Sequence, residues 1–408
     1  ALTHSLKIQQ NKASEQTAAI GVLQPKAGLL PRLNASMNQG VTYRPFQESG
    51  GNFVNGGIAS NAADKATQSG SYGINASWAL WNGGKNRLNV QNSELEQQMA
   101  SYATTATVNS IQEQIAQLYV QILYMQEALK VNTQLLKQDS IVYARGEQMV
   151  KEKQMSKADL AQLGAQVSSG RYNVVNVKTQ IENYKTQLKQ LLEIDGEQQI
   201  ELVLPKLEES QVLQPLPKQS DVYETALATR PEIQSSKLNI DYNRLGISVA
   251  KAGWYPTISL SASTGSMTNN ASTQGWASQM KYGWNNVIGV NLSLPIFNNR
   301  QTKSAVEKAR LQYNSSQLDF TNKQKELYKN IESLWLDAYN AQQQYEAAQT
   351  NTTSYETSFE MVNEQFSLGM KNTVELLTEK NNLANARQQM IQAKYMAILN
   401  RTLLNFYA

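Results

Sequence analysis

The chain has 408 residues, of which 41% are hydrophobic and 17% charged, with a mean hydropathy of -0.49 and a formal net charge of +4. No apolar run approaches the ~20 residues a helix needs to cross a bilayer, which excludes a helical membrane protein but not a membrane β-barrel. With no cysteine and one histidine there is no disulfide framework, thiol nucleophile or zinc cluster. The modest charge, without a basic patch interleaved with aromatics, argues against nucleic acid as a partner.

The chain opens at Ala1 within what reads as a helix, and no signal peptide is visible, so the start is expected to be a processed or truncated end. Ala1-Leu2 recurs as Ala226-Leu227, Ile8 as Ile233, and Lys26-Ala27-Gly28-x-x-Pro31 as Lys251-Ala252-Gly253-x-x-Pro256, a constant offset of 225. Farther along, Trp81-Asn82 matches Phe297-Asn298, Val90 matches Val306, Ile115 matches Ile331 and Leu188 matches Leu404, an offset of 216. The nine-residue difference falls between Pro31 and Trp81, and surface loops absorb such insertions, so a loop is expected over 44–65. The chain thus reads as two repeats, 1–195 and 226–408, joined by a Pro-containing connector over 196–225. Each repeat is expected to run short helix, Pro, strand, loop, strand, very long helix, turn, second long helix.

Strand alternation follows Pro31. Leu33, Ala35, Met37, Val41 and Tyr43 oppose Asn34, Ser36, Asn38 and Thr42, with Gln39 breaking the apolar set. A second strand sets Tyr72, Ile74, Ala76, Trp78 and Leu80 against Gly73, Asn75 and Ser77. In the second repeat, Ile258, Leu260 and Ala262 alternate with Thr257, Ser259, Ser261 and Ser263, and Ile288, Val290, Leu292, Leu294 and Ile296 with Gly289, Asn291 and Ser293. Period 2 places each set on one face. A half-buried soluble sheet alternates in the same way. Three features favour a membrane barrel. Ala66 to Gly84, Ala252 to Met280 and Tyr282 to Asn299 carry no charge. Each strand has about the length of a tilted crossing. Five of the six tryptophans (Trp78, Trp81, Trp254, Trp276 and Trp284) fall in or beside the strands, where an aromatic girdle sits. Four strands cannot close a barrel, so several chains must share one.

The long helices carry heptad stripes: Ile111, Ile115, Leu118, Ile122, Met125, Leu129, Asn132, Leu136, Asp139 and Tyr143, with Leu327 to Phe359 as the counterpart at the 216 offset. The returning segments give Leu160 to Leu191 and Leu376 to Tyr407 in the same rhythm. Spacings alternate three and four, the pattern of left-handed supercoiling. Segments of about 60 residues, roughly 90 Å at 1.5 Å per residue, exceed any globular helix. Positions off the stripe are largely Gln, Asn, Ser, Thr and Ala, as suits a tube wall with a wet lumen.

Catalytic motifs do not assemble. Ser248-Val249-Ala250-Lys251 fits an S-x-x-K pattern but lacks the companion Lys-Thr-Gly. Gly83-Gly84-Lys85 lacks the rest of a phosphate loop, and His4 stands alone. A non-enzymatic chain is expected, without cofactor or metal.

The duplicated order, the Lys-Ala-Gly-x-x-Pro motif before each first strand, Trp81-Asn82-Gly83-Gly84, and Phe366-x-x-Gly369-x-x-Asn372-x-x-Glu375 at the second helical turn together resemble the TolC family of outer-membrane efflux proteins. The resemblance covers essentially the whole chain. It implies a mixed α and β membrane protein: a homotrimeric β-barrel with four strands per chain, continuous with a long α-helical coiled-coil barrel in the periplasm, the connector lying at its equator. It implies a passive exit duct of a tripartite efflux or secretion system in the bacterial outer membrane, working with a periplasmic adaptor (membrane fusion protein) and an inner-membrane pump of the RND type. A surface-exposed structural or adhesive coiled-coil trimer is the alternative. Carried over by position, the gate residues at the tube tip are Asp159, Phe366, Lys371 and Glu375, and the lipid-interface aromatics are Trp78, Trp81, Trp254, Trp284 and Phe297. Thr378 and Lys153 depart from the family pattern, which expects a carboxylate and a Gly there. Ser156-x-x-Asp159 and Asn372-x-x-Glu375 also fit helix N-caps, a role compatible with a gate.

Overall fold

The computed structural model of the protein describes residues 4–46, 52–54, 57–59, 66–198, 200–203, 212–270 and 272–408. Its elements are α1 (Leu6–Ala27), β1 (Arg32–Tyr43), β2 (Asn52–Val54), β3 (Gly57–Ala59), β4 (Ala66–Asn82), α2 (Lys85–Lys151), α3 (Lys157–Leu192), α4 (Gln219–Thr229), α5 (Pro231–Lys251), β5 (Thr257–Asn269), α6 (Trp276–Tyr282), β6 (Asn285–Ser293), α7 (Gln301–Ser367) and α8 (Thr373–Asn405). They form two compact units, one of residues 16–99 and 238–318, the other of residues 1–15, 100–237 and 319–408.

The first unit holds the sheet. Its strands pair antiparallel in the order β1-β4-β5-β6. The register sets Leu33 opposite Ala76, Ala35 opposite Ile74 and Met37 opposite Tyr72. It continues with Ala76 opposite Ala262 and Trp78 opposite Leu260, and with Ala262 opposite Ile288 and Leu260 opposite Val290. The four apolar sets read from the alternation therefore merge into one face, because a single period-2 phase runs through all four strands. Most of that face is uncovered, with Leu33, Met37, Ile288, Val290 and Leu292 exposed, while at one end α6 lies against it and buries Ser266 and Thr268. Between Ala79 and Trp81 the register shifts by one residue, leaving Leu80 without an opposite number and setting Trp81 against Ile258. This bulge puts Trp81 on the face of Trp78, three residues earlier, where strict alternation would have sent it to the other side.

Several sequence expectations shift here. β4 is longer than expected at 17 residues, and β6 ends at Ser293 rather than continuing through Leu294 and Ile296. Pro295 has no N–H to give a ladder, which accounts for the early end. The expected loop over 44–65 contains the hairpin β2–β3, and its remaining residues from 47 on lie outside the described set. The stretch between β5 and β6 contains α6, and Trp276 lies in that helix rather than beside a strand. Gln279, also in α6, accepts from the Asn269 N–H and donates to the Asn269 carbonyl, tying the helix to the end of β5.

The second unit is helical. α2 and α7 are 67 residues each, slightly longer than the pattern asked, and α3 and α8 return for 36 and 33. The stripe on α7 is its buried side, with Leu327, Ile331, Ala338, Ala341, Tyr345 and Thr352 all buried. Likewise Leu163, Val167, Val174, Ile181 and Leu188 are the buried residues of α3. On α2 the buried set widens beyond the stripe to Val120, Leu123 and Ala128, so more of this helix is covered than a two-position seam requires. The residues expected as connector include the first part of α4, so the boundary at 225 falls inside that helix. A break at Arg230-Pro231 separates α4 from α5, since a residue before Pro is pushed out of helical geometry. Val222, Ala226 and Ile233 from these helices pack with Leu327, Ile331 and Leu404. Beside them the Arg230 guanidinium meets Glu113 at 3.1 Å and Glu232 at 2.9 Å and lies 4.0 Å from the Tyr407 ring. The helix expected from Ala1 begins at Leu6, residues 1–3 lying outside the described set.

Candidate functional sites: helical turns and sheet faces

The two helical hairpins end in turns of one design. In the first, the Gln154 N–H donates to the Met149 carbonyl (2.8 Å) and Lys153 to Val150 (3.1 Å); in the second, Met370 donates to Gln365 (2.9 Å) and Gly369 to Phe366 (3.1 Å). This pair of bonds is the Schellman stop, which needs a left-handed residue where Lys153 (φ 60) and Gly369 (φ 74) stand. Lys153 therefore adopts the geometry expected of Gly, at a steric cost of about 1–2 kcal/mol.

Each following helix is capped. The Ser156 hydroxyl accepts from the Asp159 N–H at 3.1 Å and donates to the Asp159 carboxylate at 2.7 Å. Asn372 accepts from the Glu375 N–H at 2.9 Å, and Glu375 accepts in return from the Asn372 N–H at 3.1 Å, a complete capping box. The Lys371 ammonium donates to the other Glu375 oxygen at 2.5 Å. That bond first, and the Asn372 N–H second, hold the Glu375 carboxyl below its ordinary value of 4.5. The capping roles expected at both sites are present.

Of the four gate candidates, the structure joins Lys371 to Glu375 and engages Asp159 with Ser156. Phe366 is only 6% exposed, so its ring is covered within the chain itself. Thr378 donates to the Val374 carbonyl at 2.8 Å, as a helical hydroxyl does.

A charged contact that sequence reasoning missed crosses between the hairpins. Asp139 of α2 and Lys380 of α8 form an ion pair with both side chains at least nine-tenths buried. Burial pushes the Lys380 ammonium down to about 8. Leu163, Phe359, Leu376 and Leu377 surround the pair. An acid on an apolar heptad stripe was the available signal for Asp139; Lys380 sits one residue off its stripe and had none.

In the sheet unit, Trp78 and Trp81 occupy the last five residues of β4, Trp254 the turn before β5, and Phe297 the segment after β6. These four lie at the sheet end where β4 leads to α2, and all are exposed. Trp78 Nε1 donates to the Leu29 carbonyl at 2.8 Å, and the Trp81 ring meets Tyr255 edge-on. Trp284 lies at the opposite end, immediately before β6, on the side where Trp276 meets Tyr72 edge-on. Aromatics thus occupy both ends of an apolar sheet face.

A largely exposed apolar sheet face bounded by aromatics, together with two 67-residue helices, is the pattern of an outer-membrane channel type of fold. The sequence profile of the outer membrane efflux protein family matches residues 1–193 and 222–405, and the chain belongs to that family. It is accordingly an outer-membrane protein, and the family is one of ducts rather than enzymes. Outer membrane protein TolC of Escherichia coli is 24% identical over 249 residues, 60% of this chain and 50% of that protein. Outer membrane efflux protein BepC of Brucella suis is 23% identical over 187 residues, 46% of this chain and 40% of that one. The chain spans half or less of the length of these curated relatives. The crystal structure of the outer membrane protein VceC of Vibrio cholerae superposes with a TM-score of 0.83 over 100% of this chain and 93% of that one, at 15% identity, a likeness of fold.

Proposed function

We propose that the chain is one of three identical subunits of a passive exit duct, carrying solutes from an inner-membrane pump of the RND type and its periplasmic adaptor to the cell exterior. Four strands from each of three chains close a barrel of about twelve strands in the outer membrane, and the helical hairpins assemble into a periplasmic tube continuous with it. The observation that carries this reading is the sheet. Its apolar face is exposed over most of its area, and among the described residues β1 and β6 each pair on one side only. Lipid can solvate the face but not the open edges, which neighbouring copies must satisfy. The adhesive alternative finds no support in the family.

The chain is a duplication in this reading, with repeats 1–195 and 226–408 and a connector between them, α4 spanning the second boundary. Positions 216 apart support it: Gly83 and Gly84 share positive φ with Asn299 and Arg300, and Lys153 with Gly369. Asn82 and Asn298 likewise each hydrogen-bond the side chain four residues on, at Asn86 and Thr302. Asp159, Phe366, Lys371 and Glu375 form the periplasmic gate, Phe366 by packing the turn rather than by blocking a passage. Trp78, Trp81, Trp254 and Phe297 lie at the inner lipid interface, and Trp284 at the outer one. Purified protein in detergent should run as a trimer by light scattering and conduct in planar bilayers. A monodisperse monomer, or a trimer that does not conduct, overturns the proposal.

A further inference from the structure

The sheet has a second face, and its chemistry is unusual for a surface exposed to water. The register aligns Asn34, Ser36 and Asn38 of β1 with Asn75, Gly73 and Ser71 of β4. Those residues stand opposite Ser263, Gly265 and Met267 of β5, and Ser261 and Ser259 stand opposite Gly289 and Asn291 of β6. The Asn75 amide donates to the Ser36 hydroxyl at 3.3 Å, and the Ser261 hydroxyl to the Gly289 carbonyl at 3.3 Å. Apart from Met267, Val287 and Ala79, this face is Ser, Asn, Thr and Gly. Solvated sheets ordinarily carry Lys and Glu; this one is wettable yet almost uncharged.

The exception is Arg32. It is the single charged residue in the four strands. It begins β1, in phase with Asn34 and Ser36, opposite Ser77. No ion pair or hydrogen bond engages its guanidinium among the described residues. A fixed charge acts over a Debye length, ~10 Å at 0.1 M salt. Asn38, six residues along the strand, lies about 20 Å away at ~3.3 Å per residue, beyond its reach, whereas Asn34 lies within it.

Resting on the duct reading, in which this face lines the lumen, we propose that the barrel segment is a charge-indifferent exit: a hydrogen-bonding, neutral wall that passes cationic, anionic and zwitterionic polar solutes alike. Arg32 is the only charged residue of the four strands and confines an anion preference within them to the end nearest the helices. Selection by charge therefore belongs to the helical unit, and substrates of either sign leave through the strands without a binding step.

Thiol labelling tests this, since the chain has no native cysteine. Full-length Asn38→Cys, Asn34→Cys, Asn34→Cys with Arg32→Gln, and Met37→Cys variants are reconstituted in phospholipid vesicles. Each is treated with the cationic trimethylammonium-ethyl and the anionic sulfonato-ethyl methanethiosulfonates, and rates are normalised to a free thiol in solution. At Asn38→Cys the two normalised rates should agree within about twofold. At Asn34→Cys the anionic reagent should lead severalfold, and Arg32→Gln should abolish that lead. A preference above about threefold at Asn38→Cys, or an Asn34→Cys preference indifferent to Arg32→Gln, overturns the proposal. Met37→Cys, on the apolar face, should react with neither reagent. If it reacts while Asn38→Cys does not, the faces are reversed, the duct reading fails and the proposal falls with it.

Discussion

The two helical hairpins reach the same backbone geometry with different side chains. The first turn puts Lys153 where the second puts Gly369, and both hold a left-handed φ. The first helix start relies on Ser156 and Asp159, the second on a full capping box reinforced by Lys371. Backbone hydrogen bonds at a helix end must be satisfied in one of few ways, so the turn geometry persists. Charge is not so constrained, and the pair Lys371–Glu375 stands only in the second hairpin. Another charge pair, Asp139–Lys380, crosses between the hairpins, with one partner in each. Shape is shared between the hairpins; electrostatics are divided between them.

The largest expected effect breaks that division. Asp139→Ala leaves the Lys380 ammonium buried without its partner and should cost about 3–5 kcal/mol in denaturation of the solubilised protein. Asp139→Leu combined with Lys380→Met should recover most of the loss, because a buried ion pair is worth little more than apolar residues of similar volume. If the double variant is no better than the single, the pair contributes more than mutual neutralisation.

Exchanging the turn residues sharpens the comparison of shape. Gly369→Ala forces a side chain into left-handed geometry and should lower stability by about 1–2 kcal/mol. Lys153→Gly relieves that strain in the other hairpin and should raise stability by up to about 1 kcal/mol, the gain trimmed by the freer unfolded chain. Equal and small effects at both turns in thermal melts would show that the left-handed positions are not strained.

Cap removal should act at both hairpins alike. Ser156→Ala and Asn372→Ala each delete an acceptor for the N–H of the third helical residue, and each should cost about 1 kcal/mol by the same measurement. A loss at Asn372→Ala alone would mean that the first cap contributes nothing.

The smallest effect concerns Glu375. Its carboxyl lies below the ordinary 4.5, so its contribution is complete above that value and is lost as pH falls through the depressed one. The melting-temperature difference between wild type and Glu375→Gln should therefore shrink on acidification. In bilayers, Glu375→Gln should lower cation selectivity, and Lys371→Ala should raise resting conductance. Loss of trimer stability with unchanged selectivity would mean that Glu375 is a cap and no part of a gate.

Residues along the chain, read alone, carried the periodic features. The stripes on α3, α7 and α8 are buried where the three-four spacing places them, and one alternation phase runs through β1, β4, β5 and β6. Periodicity is local, since 3.6 and 2 residues per repeat are properties of the backbone. Both turns were legible too, because capping uses residues three apart. Only the folded chain decided the rest. The unpaired Leu80 brings Trp81 to the face of Trp78, and a one-residue register shift has no sequence signature of its own. Lys380 meets Asp139 across 241 residues, a pairing set by how two hairpins pack and not by any spacing along the chain. Phe366 is covered by its own chain, which its position in the turn did not reveal. Local patterns specify which face of an element is apolar; which partner meets that face is settled when distant elements close on one another.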